Sequence, residues 1–101
     1  MGLARQRSRR SSELIVSEII RAALSEVRKT KLMYASSLNV KQLNKYLETM
    51  MDANLLSLDP ATKTYVATER ARAYLQTLAD LQRTEARLEK KRMQLQSLLQ
   101  V

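Results

Sequence analysis

Apolar residues recur at helical spacing near the start of the chain. Those that fall on one predicted helix face are Leu14, Ile15, Ile19, Ala22, Ala23 and Val27. The spacing predicts a first helix over residues 12–27, with Ser11 or Ser12 as its N-cap and Glu13 in its first turn. Residues 1–11 are polar and charged without periodicity, which predicts a flexible arm.

Two further helices are predicted after a basic break. Thr30 can cap a short second helix that ends near Ser36, and Asn39 can cap a third helix over residues 40–53 after a turn. The apolar stripe of the third helix consists of Val40, Leu43, Leu47, Met50 and Met51. Its other face is polar and carries Lys41, Gln42, Asn44, Lys45, Glu48 and Thr49.

Two strand-sized segments follow, at residues 55–58 and 64–67, and the turn between them contains Pro60. Thr68 can cap a last helix that nothing interrupts before residue 101. Three helices, a hairpin and a further helix are the order of a winged helix. We expect a mainly α (α+β) protein with an arm (1–11), a winged helix-turn-helix head (12–67) and a coiled-coil helix (68–101). A small helical domain with an incidental hairpin is the alternative.

The last helix carries one heptad track of apolar residues. Its members are Tyr74, Leu78, Leu81, Leu88, Leu95 and Leu99. Two a positions within the track are charged, Glu85 and Arg92, and a parallel dimer would stack each of them on its own copy. An antiparallel dimer with its two-fold axis between residues 86 and 87 sets each against a leucine instead. These eight residues therefore predict an antiparallel coiled-coil homodimer, and a lone helix with exposed leucines is the alternative.

Composition argues against catalysis. The chain has no cysteine and no histidine, and it has one glycine and one proline. It therefore lacks thiol nucleophiles, the commonest general base, the commonest metal ligand and a glycine-rich phosphate loop. We expect no enzyme activity, no metal, no cofactor and no small-molecule substrate.

The charge balance points to a polyanionic partner. The chain has 18 Lys+Arg and 10 Asp+Glu, a net charge of +8. Such an excess attracts nucleic acid or an anionic membrane surface. Apolar runs are too short to span a membrane, which needs ~18 residues, so we expect no membrane insertion and a cytoplasmic location. The arginine- and serine-rich start also resembles a transit peptide, but it is short and not amphipathic.

Ten of the 18 basic residues lie where a winged helix and its arm could meet double-stranded DNA. They lie in the arm, before the second helix, on the outer face of the third helix and at the hairpin tip. These predicted phosphate contacts are Arg5, Arg7, Arg9, Arg10, Arg28, Lys29, Lys31, Lys41, Lys45 and Lys63. The amides of Gln42 and Asn44 suit adenine, and Lys41 or Lys45 suits guanine.

The sequence resembles the archaeal 10a family of small winged-helix nucleoid proteins. The residues that carry the resemblance are Thr30, Lys31, Leu32, Met33, Tyr34, Ala35, Leu38, Tyr46, Met51, Asp52, Leu55, Leu56, Tyr65 and Thr68. It extends over residues 12–99 and implies a homodimer joined by an antiparallel coiled coil, with DNA bound by the heads. The sequence departs from the family in having Ala71 where glycine is usual, a longer wing turn at residues 59–62, and the arginine arm.

Three functions fit these observations. The first is an architectural, nucleoid-associated chromatin protein that binds double-stranded DNA with little sequence preference. The second is a site-specific transcriptional regulator, or a plasmid-partition adaptor, of the same fold. The third is a coiled-coil interaction module or a basic membrane-surface protein.

Overall fold

The structure, a computed structural model, describes residues 11–100. The helices in this range are α1 (Ser12–Ala22), α2 (Lys29–Ser36), α3 (Val40–Asp52) and α4 (Glu69–Leu99). The strands are β1 (Val27–Arg28), β2 (Leu56–Asp59) and β3 (Thr64–Ala67). The predicted arm contacts Arg5, Arg7, Arg9 and Arg10 lie outside the described residues.

Side-chain caps set the start of three helices. The Ser11 hydroxyl accepts from the Leu14 amide at 3.2 Å, and the Thr68 hydroxyl accepts from the Ala71 amide at 3.2 Å. Asn39 caps α3 in a capping box. These caps confirm the predicted starts of the first, third and last helices. The predicted cap Thr30 is wrong, because α2 begins at Lys29, which places Thr30 inside the helix, and the N-cap residue Arg28 makes no side-chain cap hydrogen bond.

The sheet has a strand that the sequence pattern did not predict. The first helix ends at Ala22 rather than at residue 27, and Val27 instead pairs with Tyr65 across β3. The Ala67 amide donates to the Ala23 carbonyl at 2.7 Å, which ties the end of α1 to the same strand. The sheet is therefore antiparallel with the order β1-β3-β2. The predicted hairpin is confirmed as β2 and β3, with Asp59 opposite Thr64 next to the turn.

The core lies between α1, α2, α3 and the sheet. Its largest fully buried apolar side chains are Ile19, Ile20, Leu32, Leu43 and Met50. Two serines are also fully buried, and each hydroxyl donates at 2.7 Å to a carbonyl one turn back, Ser17 to Leu14 and Ser36 to Leu32. Burial of these hydroxyls therefore leaves no hydrogen bond unmade.

The long helix α4 has two environments along its length. Ala71 and Leu78 are buried against the head, and Tyr74 and Leu75 are half-buried beside them. Every residue from Asp80 to Gln100 is exposed. The described chain is consequently elongated, with extents of 67 × 31 × 20 Å. No helix within residues 11–100 is both long enough and apolar enough to cross a membrane.

Candidate nucleic-acid interface

Helices α2 and α3 form a helix-turn-helix. Ser37 ends α2 in the left-handed region, at φ 57° and ψ 36°, and the Leu38 amide returns to the Met33 carbonyl at 3.3 Å. This reversal satisfies carbonyls that the end of a helix would otherwise leave unpaired. Asn39 then starts α3, so the turn between the two helices is only three residues long.

The outer face of α3 is polar because its other face belongs to the core. Leu43, Leu47 and Met50 are buried at helical spacing. The predicted contacts Lys41, Gln42, Asn44 and Lys45 are all exposed on the opposite face, as are Glu48 and Thr49. This helix therefore presents cations and amides to solvent along its first two turns.

Two contacts link the predicted cations near α2 to α3 and to the wing. Lys29, at the start of α2, donates from its Nζ to the Asn44 Oδ1 on α3 at 2.7 Å. Arg28 precedes it and lies opposite Thr64 in the sheet, next to Lys63 at the wing tip. Arg28, Lys31 and Lys63 are exposed. The structure thus brings Arg28 close to Lys63 and Lys29 close to Asn44, although these residues are far apart in sequence.

The wing turn is built from local hydrogen bonds. The Asp59 carboxylate accepts from the Ala61 amide at 2.9 Å, and the Asp59 carbonyl accepts from the Lys63 amide at 2.7 Å. Lys63 itself has a φ of 58°, in the left-handed region. A residue without a Cβ, or asparagine, adopts this conformation at lower cost than lysine does. The presence of lysine here places a cation at the tip despite that cost.

Both side-chain amides predicted to read bases are engaged within the protein. The Gln42 Oε1 accepts from the Asn39 backbone amide at 3.1 Å, while the Gln42 backbone amide donates to the Asn39 Oδ1 at 2.8 Å. The Asn44 Oδ1 accepts from Lys29. A bidentate contact to adenine needs the amide oxygen as an acceptor, and in this conformation each amide oxygen already accepts one hydrogen bond within the protein. The Asn39-x-x-Gln42 spacing is a capping-box pattern, so the sequence could have revealed the hydrogen bond of Gln42. The hydrogen bond of Asn44 joins residues 15 apart in sequence, and no local pattern indicates it.

Two exposed side chains of the helix-turn-helix were not predicted as contacts. Tyr34, on α2, is 80% exposed. Val40 was predicted to belong to the buried stripe of α3, but as the first residue of the helix it is 51% exposed. A large exposed aromatic residue on a helix-turn-helix suits contact with a sugar-phosphate backbone or a stacked base. In the sequence, Tyr34 stood out only as one of the residues that carry the resemblance to the archaeal 10a family.

A cleft joins the start of α1 to the recognition helix α3. It has a volume of about 260 Å³ and is lined by Ser12, Val16, Lys45, Tyr46 and Thr49. The Tyr46 hydroxyl donates to the Ser12 Oγ at 3.3 Å across it. The chain therefore enters α1, at Ser11, beside the middle of α3.

The predicted dimer residues fall into two groups. Leu78 is only 7% exposed because it packs against its own head, and Tyr74 is half-buried there. Burial, and to a smaller extent the nearby Glu13 carboxylate, raises the pKa of the Tyr74 hydroxyl. The other predicted positions are exposed on the projecting part of α4: Leu81, Glu85, Leu88, Arg92, Leu95 and Leu99.

The helix-turn-helix is followed by a two-stranded wing, and β1, before α2, completes a three-stranded sheet with the wing. This arrangement defines the winged-helix class. The chain belongs to the winged helix-turn-helix family, whose model matches residues 9–86.

Among solved structures, the chain is similar to the crystal structure of Sso10a-2, described as a DNA-binding protein from Sulfolobus solfataricus. The two share 19% sequence identity with a TM-score of 0.74, over 91% of this chain and 99% of the other. This similarity confirms the resemblance to the archaeal 10a proteins at the level of the fold. A search among curated proteins gave no match.

Proposed function

We propose that the protein binds double-stranded DNA as a homodimer and does so with little sequence preference, as an architectural protein of the nucleoid. The observation that carries this proposal is the combination of a continuous basic path with engaged amides. Cations extend from α3 through α2 to the wing tip, while Gln42 and Asn44 are held by Asn39 and Lys29. Phosphate contacts supply affinity, and base-edge contacts supply specificity.

The basic path supports contact with DNA at three places on each head. Lys41 and Lys45 on the outer face of α3 suit the major groove. Lys31 on α2 suits the flanking backbone, and Lys63 suits phosphates or a minor groove at the wing tip. Each phosphate that such a residue neutralises releases counterions, so the affinity should fall steeply with salt.

Dimerisation is supported by the exposed stripe on α4. Leu81, Leu88 and Leu95 are 41%, 49% and 66% exposed. They lie on one face of the part of α4 that projects beyond the head. Alone, such a helix would expose a continuous apolar seam to water. A second copy covers it, and the charged positions Glu85 and Arg92 favour the antiparallel arrangement.

The antiparallel arrangement has a consequence for DNA geometry. The two copies of Thr68, the N-cap of α4, would lie ~55 Å apart, from the rise per residue and an axis between residues 86 and 87. Neighbouring major-groove faces on one side of B-DNA repeat every ~34 Å. The heads of a straight dimer therefore do not match adjacent half-sites, so we infer that the dimer bridges two segments or bends one.

Salt dependence tests the role of the α3 cations in DNA binding. Lys41→Ala and Lys45→Ala should each weaken binding and lower the slope of log affinity against log salt by about one, because each variant neutralises one phosphate fewer. Lys90→Ala is the matched control, because Lys90 is exposed on α4 far from the head. For the wing, Lys63→Asn is preferable to alanine, because asparagine tolerates the left-handed backbone.

The same titrations on several duplex sequences separate the architectural role from a regulatory one. An architectural protein should show similar affinities on all of them. A ratio of ~10³ or more for one sequence would instead indicate a site-specific regulator or partition adaptor. If the slope of log affinity against log salt is unchanged in both lysine variants, α3 does not contact DNA.

A further inference from the structure

Two grooves lie at the base of α4, where the leucine stripe meets the head. The first, of about 130 Å³, is lined by Glu13, Tyr74, Thr77, Leu78 and Leu81. The second, of about 400 Å³, is lined by Ala53, Leu55, Arg70, Ala73, Tyr74 and Thr77. Tyr74 and Thr77 line both grooves, so the grooves flank one continuous strip of α4. We call them the Glu13 groove and the Ala53 groove.

We propose that the last turns of the partner's α4 pack on this strip, with the partner's Arg92 paired to Glu13 and the partner's Leu98 against the Ala53 groove. The proposal rests on the antiparallel dimer proposed above and extends its interface from the coil to the head. The winged-helix head would then be held by both protomers rather than by its own helix alone.

The register of the antiparallel dimer brings these segments together. A two-fold axis between residues 86 and 87 sets Leu81 opposite the partner's Arg92, and Tyr74 opposite the partner's Leu99. It also brings the partner's Leu98 level with Leu75, which lies between Ala73 and Thr77 of the Ala53 groove. The partner's Arg92 lies in the seam, level with Leu81, which lines the Glu13 groove. Leu98 is a g position at the edge of the seam, as are Arg70 and Thr77 of the Ala53 groove.

Charge complementarity favours this occupant for the Glu13 groove. Glu13 is exposed at the edge of the groove, and within residues 11–100 it has no ion-pair partner. Arg92 occupies an a position of the heptad track, where a cation facing a leucine lacks a counter-charge. An ion pair with Glu13 would supply that counter-charge to Arg92. Glu13 also lies close enough to the strip of α4 for its carboxylate to raise the pKa of the Tyr74 hydroxyl.

Apolar exposure favours the same occupant for the Ala53 groove. Leu98 and Leu99 are 82% and 83% exposed, more than any other large hydrophobic residue in the described range. Leu98 lies beside the a/d seam, so a coiled coil alone covers it only in part. The groove beside Ala73 and Thr77 offers it an apolar surface at the matching level.

A charge-reversal cycle tests the ion pair. Glu13→Arg and Arg92→Glu should each raise the dimer dissociation constant by about tenfold, since two-fold symmetry breaks two pairs at about threefold each. The double variant should recover most of the affinity. Glu26→Arg, in the link before β1 and outside both grooves, is the matched control. The readout is sedimentation equilibrium at low salt.

A pair of truncations tests the apolar contact without altering charge. Leu98→Ala should weaken the dimer by about tenfold or more, because two-fold symmetry removes the buried side chain at both ends of the dimer. Met93→Ala should change the dissociation constant much less, since Met93 is also exposed on α4, at 61%, but points away from the seam. Equal effects of the two truncations, together with no recovery in the charge-reversal double variant, would overturn the proposal.

Cysteine variants distinguish this failure from failure of the dimer itself. Glu85→Cys lies beside the proposed axis and should cross-link to its own copy. Leu99→Cys would be ~37 Å from its copy in the antiparallel dimer and should not. If these cross-links behave as expected while the cycle shows no coupling, the head contact is wrong and the antiparallel coil stands. A monomeric wild-type protein, or rapid cross-linking at residue 99, would overturn both.

Discussion

At the scale of single residues, the local hydrogen bonds decide which side chains are free to act. Gln42 and Asn44 have the right chemistry and the right helix face for reading adenine. In the structure, however, each amide oxygen accepts a hydrogen bond within the head. The Gln42 oxygen accepts from the Asn39 backbone amide at the start of α3, and the Asn44 oxygen accepts from Lys29. Within the described residues, the exposed lysines of α3, Lys41 and Lys45, make no side-chain hydrogen bond to the protein. We therefore propose phosphate contact, rather than base reading, as the role of this face.

The cap role of Gln42 can be measured directly. Gln42→Ala should lower the free energy of unfolding by about 0.5–1 kcal/mol, because it removes half of the capping box. Glu48→Ala, a change of similar helix propensity at an exposed position of the same helix, should have a smaller effect in urea unfolding. The ratio of affinities for different duplexes should stay constant. A change in that ratio of about tenfold, or ~1.4 kcal/mol, would show that Gln42 reads a base.

At the scale of elements, α4 changes role along its length. Its first turns complete the head, with Ala71 fully buried, which explains why a small residue stands there. Beyond Asp80 the helix makes no contact that buries it. Because most helix stability in proteins comes from packing of an apolar face, the proposed partner would stabilise this part of α4.

Replacing two leucines of the stripe should separate the protomers. Leu81→Asp with Leu88→Asp places charges in the seam and should yield monomers in sedimentation equilibrium. The matched control is Gln76→Asp with Ser97→Asp, which adds the same charges on the outer side of α4. The control should remain dimeric. A dimeric Leu81/Leu88 variant would mean that the interface lies elsewhere.

At the scale of the whole molecule, the elongated shape determines how far apart two DNA-binding heads can lie. The described chain is 67 Å long and carries its basic face on the head at one end. In the proposed antiparallel dimer, a second head would lie at the far end. Two DNA-binding surfaces at the ends of a rod suit bridging between duplexes.

Bridging predicts capture of a second duplex. A labelled duplex should be retained on an immobilised one only in the presence of the dimeric protein. The Leu81/Leu88 variant should still bind one duplex, more weakly, but should retain no label, because each monomer carries one head. Retention of label by that variant would assign bridging to something other than α4. No retention by the wild-type protein would leave bending of a single duplex as its action.

The sequence alone determined the helices that carry their own signals. The stripe at Leu43, Leu47 and Met50, the caps Asn39 and Thr68, and the Pro60 turn are local patterns, because helix periodicity, capping and turn chemistry act over a few residues. The order of those elements was enough to identify the winged helix. The outer face of α3 follows from the same periodicity.

Tertiary structure decided what depends on residues distant in sequence. Val27 looks like the end of a helix, but pairing with Tyr65 makes it a strand, since sheet hydrogen bonds come from a partner that local spacing does not reveal. Leu78 fits the heptad track as well as Leu81 does, yet the head buries the first and leaves the second exposed. Asn44 likewise depends on Lys29, 15 residues away, for its hydrogen bond. A pattern fixes which face of a helix is apolar, and only packing fixes what that face meets.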